Sequence, residues 1–162
     1  MNSKWDARFL RVAREVSLWS KDPSTKVGAV IVGKNRDIVS TGYNGIPRGC
    51  RDDIPEWHQR PLKYMAYEHG ERNSVLNAAR RGASTEGCTL YGWWDAIFGP
   101  PCADCARAII QAGIVRVILK PGDLDPAKWT DRWRESAEMS AAMLTQAGVV
   151  VAEADLALAE LP

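Results

Sequence analysis

Four side chains in this 162-residue sequence are of types that do chemistry together: His69, Glu71, Cys102 and Cys105. Cys102 and Cys105 stand at C-x-x-C spacing in "PCADC", where a helical pattern begins. A helix N-terminus favours the thiolate, because its unpaired N–H groups carry partial positive charge. His69, in "EHGER", also stands at a helix start. If both helix starts meet at one end of a sheet, three soft or borderline ligands converge. Three protein ligands leave a fourth tetrahedral position for water, which marks a catalytic zinc, whereas structural sites close with four. Glu71 would then lie beside that water without ligating the metal, able to take its proton and pass it to a ring nitrogen. Two blander readings compete. A redox C-x-x-C leaves His69 and Glu71 without roles, and two cysteines can also simply pack in a core. Alone, His69 reads as a structural histidine and Glu71 as a first-turn carboxylate; their weight comes from the combination. Cys50 and Cys88 read as core or incidental. A second metal set of Cys50, Asp53 and His58 has a spacing that matches no common pattern.

The elements that must position these residues are legible from periodicity. Ser3 caps a helix running to about Trp19, with Trp5, Phe9, Val12, Val16 and Trp19 on one apolar face. "VGAVIV" (27–32) and "IVSTGYN" (38–44) are strands joined by a polar turn, hence antiparallel. Residues 50–68 show no clear period and read as loop with some helix. A helix follows His69, with Val75, Leu76, Ala78 and Ala79 as its buried side and Gly82 as its end. Then come a strand (88–92), a helix (103–113), a strand (114–119), a helix (131–147) and a strand (149–152), with a short frayed helix in "DLALAELP". Strand–helix alternation implies right-handed crossovers and parallel pairing. The expected fold is a three-layer α/β/α arrangement, one mixed five-stranded sheet with helices on both faces, in a single domain over 1–162.

Composition narrows the function classes. Lys and Arg number 21 against 20 Asp and Glu, giving a net charge of +1, which argues against a dedicated nucleic-acid binder. There is no apolar run long enough to span a membrane, and "MNSKWDARFL" lacks the apolar core of a signal peptide. The expectation is a cytoplasmic protein with reduced thiols.

With these residues in place, the sequence resembles the cytidine deaminase superfamily and, within it, the deoxycytidylate (dCMP) deaminases. The zinc deaminase signature H-x-E…P-C-x-x-C is present as His69-Gly70-Glu71 and Pro101 to Cys105. "SKDPSTKVGAVIV", "STGYNGIPRGC", "HGERN" and "PCADCARAIIQAGI" carry the likeness from about Trp5 to Val151. The resemblance implies hydrolytic deamination of dCMP, or a C5-modified dCMP, to the matching dUMP. By the same resemblance zinc would be held by His69, Cys102 and Cys105, and Glu71 would move protons to N3 and the leaving amine. Asn44 would hold sugar and base edge. Lys26, with Ser24, Thr25 and Arg48 behind it, would lie near the phosphate, while Gly70 and Pro101 would border the base. Tyr43, Gly45 and Arg48 would belong to a phosphate or effector loop. Relatives are commonly homo-oligomers, often hexamers, and many are activated by dCTP and inhibited by dTTP. Alternatives within the superfamily act on dCTP, a free base, tRNA or single-stranded nucleic acid.

Two departures stand out. Gly70 replaces a usual Ala, leaving more room and a looser helix start. The stretch "GWWDAIFGPP" between Tyr91 and Cys102 is longer than in most relatives, so Trp93 and Trp94 are expected in a loop at the pocket rim. There they would stack on the base or, slightly favoured, pack at a subunit interface.

Overall fold

The computed structural model describes residues 3–95 and 99–160. Its five strands are β1 (Val27–Val32), β2 (Ile38–Tyr43), β3 (Thr89–Trp94), β4 (Arg116–Leu119) and β5 (Val150–Glu153), in the order β2-β1-β3-β4-β5. β1 is antiparallel to both β2 and β3, and β3, β4 and β5 run parallel. The mixed sheet thus has the expected sense: the tight turn gives antiparallel pairing, the helical crossovers give parallel pairing.

Helix α1 (Lys4–Ser17) covers one face together with a 3-10 segment at Leu156–Glu160. α3 (Gly70–Arg80), α4 (Ala103–Gln111) and α5 (Asp131–Gln146) are on the other side, and α2 is a single turn, Lys63–Ala66. α1 starts at a capping box: Asp6 N–H donates to Ser3 Oγ at 3.2 Å and Ser3 N–H to Asp6 Oδ2 at 3.1 Å. The same carboxylate accepts from Arg116 (2.7 and 2.8 Å) and Tyr91 (2.9 Å), tying α1 to β3 and β4. Burial pushes the Asp6 carboxyl up, but Arg116 and Tyr91 outweigh it and hold it below the usual range.

The buried stripe of α1 is Phe9, Leu10, Ala13 and Val16. Trp19, expected on that face, lies past the helix end, 59% exposed and edge-on to Tyr43 at 6.0 Å. α3 also differs from expectation. Leu76 and Ala79 are exposed, and the inward residues are Gly70, Glu71, Ser74 and Ala78. The reason is how closely this helix sits on the sheet. A Cβ on Gly42 of β2 would fall 2.2 Å from Ser74 N and 2.3 Å from Gly70 O, so helix backbone rests on strand backbone with no side chain between. Gly70 is packed rather than roomy: a Cβ there would meet Val27 Cγ1 at 2.9 Å and Val27 O at 3.1 Å. On the opposite face Gly28 lets α1 approach in the same way, its Cβ position being 2.1 Å from Ala13 O.

Trp93 and Trp94 are not in a loop. They end β3, paired with Gly28 and Val27 of β1. Successive strand residues face opposite sides, and the two indoles separate accordingly. Trp93 joins the α1 face, with the Arg14 guanidinium 5.5 Å over its ring, and Trp94 is buried in the core beneath α4. Residues 96–98 of the long stretch lie outside the described residues. Among the described residues, no helix is long and apolar enough to cross a membrane.

Candidate active site

His69 is the N-cap of α3 and Cys102 the N-cap of α4, both with extended backbone and neither using its side chain as a cap. Their side chains are therefore free to face each other across the helix starts. Cys105, one turn into α4, joins them. His69 Nδ1 lies 3.4 Å from Cys102 Sγ and 3.5 Å from Cys105 Sγ. Tetrahedral zinc with Zn–S about 2.3 Å and Zn–N about 2.0 Å needs N···S edges of roughly 3.5 Å. The donor set fits the ion in type and spacing. Among the described residues it is the one group of His, Cys and carboxylate side chains gathered closely enough to hold a metal. The Cys50, Asp53 and His58 set is not assembled: His58 uses Nδ1 on Tyr67 OH (2.6 Å) and Nε2 on Asp52 O (2.8 Å).

The electrostatics match a thiolate site. Cys105 hydrogen bonding and the adjacent His69 bring the Cys102 thiol down to about 4, against the opposing effect of burial. The hydrogen bond to Cys102 raises His69 to about 9, and Cys105 is pushed well up by Cys102 and by burial. Glu71 is 4% exposed, and burial raises its carboxyl against the pull of His69. Its Oε2 has no hydrogen-bond partner among the described residues. A buried carboxylate oxygen without a partner costs about 1–3 kcal/mol or more, which is understandable where water or substrate must be met. α4 is secured from below by α5, since Ala103 N–H donates to Ser136 Oγ at 2.9 Å.

A cavity opens above this cluster. It is lined by Glu71, His69 and Cys102, by Trp94, and by Arg60, Lys63, Tyr64 and Tyr67 of the segment before α3. Asn44 and Thr25 line it as expected; Ser24, Lys26, Gly70, Pro101 and Trp93 do not. Tyr43, Gly45 and Arg48 also lie outside the cavity, with Arg48 on Asn77 Oδ1 at 3.2 Å and Gly45 bridged to Glu68. Pro100 takes the lining position expected of Pro101, which is fully buried. Lys26 turns to Ser20 O at 2.5 Å.

Asn44, which the resemblance assigns to sugar and base edge, is also bonded within the protein. Its Oδ1 accepts from Val27 N–H (2.8 Å), and its Nδ2 donates to Asp22 Oδ2 (3.0 Å) and Thr25 O (2.9 Å). Both amide hydrogens are thus engaged in pinning the 22–27 loop. That loop is built on Asp22, which accepts from Ser24 N–H, Thr25 N–H and Ser24 Oγ and pairs with Lys63 Nζ at 2.7 Å. Asp22 and Lys63 were missed from sequence. "DPST" carries the signal of an Asx turn, but nothing in "RPLKYM" marks its lysine as buried.

The comparisons with known proteins agree with this geometry. The family model for the cytidine and deoxycytidylate deaminase zinc-binding region matches residues 3–120. The chain belongs to this family. It is a zinc-dependent deaminase by fold and by ligand set. It is 44% identical over 151 residues to a protein named an uncharacterised deaminase in the luxG 3′ region of Aliivibrio fischeri, covering 93% of this chain and 94% of that one. It is 38% identical over 146 residues to mouse deoxycytidylate deaminase, covering 87% of this chain and 73% of the relative. The crystal structure of dCMP deaminase from cyanophage S-TIM5 in complex with dCMP and dUMP is similar with a TM-score of 0.70 and 26% identity, covering 94% and 98% of the two chains.

Proposed function

We propose that this chain hydrolyses dCMP to dUMP and ammonia. The observation that carries the reading is the buried Oε2 of Glu71, without a hydrogen-bond partner among the described residues, in a cavity that His69 and Cys102 of the metal-ligand cluster also line. The names of the deoxycytidylate deaminase relatives and the nucleotides in the phage structure support it. His69, Cys102 and Cys105 hold zinc, which when bound supplies Lewis acidity toward water. The chain's own residues do the rest. Glu71 accepts a proton at Oε2 from the attacking water and passes it to cytosine N3; it then takes the second water proton, from the hydroxyl now on C4, and gives it to the amino group as the C4–N bond breaks. Net, water oxygen replaces the C4 amino group and ammonia leaves. Burial raises the Glu71 carboxyl and so makes it a better acceptor for the water proton. Trp94 and Tyr67 exclude water around the ring, and the Asn44-pinned loop sets the position of Thr25 against the substrate.

The test is ammonia release from dCMP by zinc-replete wild-type protein and the Glu71→Gln variant. Turnover should fall about 10²–10⁴-fold in the variant while bound zinc stays stoichiometric; a wild type inactive on dCMP, or an active variant, refutes the reading. The same proposal places the protein in the cytoplasm as a homo-oligomer, hexamer first among the sizes, with dCTP and dTTP as effectors. The exposed Leu18, Trp19 and Tyr43 patch supports self-association, and sedimentation with and without each nucleotide tests it.

A further inference from the structure

A nucleoside monophosphate brings a dianion, which has to be met by cations or N–H donors. The cations expected to meet it are turned elsewhere, Lys26 to Ser20 O and Arg48 to Asn77. Two other cations line the cavity, Lys63 and Arg60. Lys63 is committed: it is buried, paired with the equally buried Asp22 at 2.7 Å and bonded to Ser24 Oγ at 2.5 Å. Its charge is cancelled inside the protein.

Arg60 stands differently. It lines the cavity yet is exposed, and its guanidinium carbon lies 5.7 Å from the Tyr64 ring centre. Tyr64 is itself fixed: Arg132 lies 4.0 Å from its ring centre, and Trp133 meets it edge-on at 6.4 Å. Stacking on an aromatic ring orients a guanidinium without using its N–H donors. Among the described residues no carboxylate pairs with Arg60. Glu71, His69 and Cys102 line the same cavity.

We propose that Arg60, held on Tyr64, reads the 5′-phosphate of the substrate and makes the enzyme selective for a nucleotide over a nucleoside. This rests on the proposed activity toward dCMP. The experiment compares kcat/KM for dCMP and for deoxycytidine in wild type, Arg60→Ala and Arg60→Lys, and measures binding of inorganic phosphate by calorimetry. In Arg60→Ala the dCMP-to-deoxycytidine ratio should fall roughly 10- to 100-fold, mostly through KM, with partial recovery in Arg60→Lys. An unchanged ratio, or equal loss on both substrates, overturns the assignment. If wild type releases no ammonia from dCMP, the proposed activity fails on its own. The phosphate arm then decides Arg60: at least tenfold weaker phosphate binding in Arg60→Ala upholds its role. Equal binding, or none in wild type, overturns it.

Discussion

Removing one partner of the Asp22–Lys63 pair should be far worse on one side than on the other. The pair is 2.7 Å apart, with 1% and 9% of the two side chains exposed. At an effective dielectric near 20 their attraction is about 6 kcal/mol, most of it offset by desolvation. What differs is what each ion keeps when the other leaves. Without Lys63, Asp22 still accepts from Ser24 N–H, Ser24 Oγ, Thr25 N–H and Asn44 Nδ2. Without Asp22, Lys63 keeps Ser24 Oγ and the face of Tyr67 at 5.7 Å, and the 22–27 loop loses its organiser. Lys63→Met should therefore cost about 2–3 kcal/mol and Asp22→Ala about 4–5 kcal/mol, the upper part of the range for a broken buried pair. The double variant should cost about 2 kcal/mol less than the sum, because no ammonium is then left unpaired. Urea unfolding at pH 7 measures all three. The pH dependence follows from the carboxylate: although burial raises it, the Lys63 hydrogen bond and the loop amides hold Asp22 below its ordinary range. Its stabilisation is present above about pH 4, the unfolded value, and is lost as pH falls through the lower folded value. The gap between wild type and Lys63→Met should close over that acid window. Equal costs for the two single variants, or strict additivity, would refute the reasoning.

Three further outcomes are expected. Cys102→Ser should purify without stoichiometric zinc by elemental analysis, and chelation of the wild type should lower its unfolding temperature, since binding energy is lost from the folded state alone. Gly28→Ala should cost about 2–3 kcal/mol in urea unfolding by lifting α1 off β1, while Gly45→Ala, where a Cβ meets nothing within 4 Å, should stay within about 0.5 kcal/mol of wild type. Trp94→Leu should raise KM for dCMP about tenfold, the loss of an aromatic wall, whereas Trp93→Leu should leave KM within about twofold; the reverse order would return Trp93 to the pocket.

The gathering of His69, Cys102 and Cys105 was legible because helix starts and ligand types are both local signals, and bringing two helix starts together needs only the βα alternation. The strands were legible as apolar runs, except where Gly92 broke the β3 pattern. That glycine is there because the Trp94 ring lies over it, with a Cβ position 2.7 Å from Trp94 Cζ3, so the feature that ended the predicted strand is what allows it to continue. The part of the pocket lining contributed by residues 60–67 was not legible. α2 is four residues long, too short for a period, and Lys63 is buried by a partner 41 positions away. Asn44 was identified from the resemblance, but only coordinates show its amide committed to the loop.

The seat of α3 has a consequence for how this enzyme tolerates change over evolutionary time. The helix bearing His69 and Glu71 rests on strand backbone at Gly42, and β1 closes on it at Gly70. At Gly42 no side chain stands between helix and strand to take up a change in volume. A methyl group added at Gly42 would meet helix backbone directly and shift the segment that carries Glu71, so that strand position is held to glycine by the helix it supports.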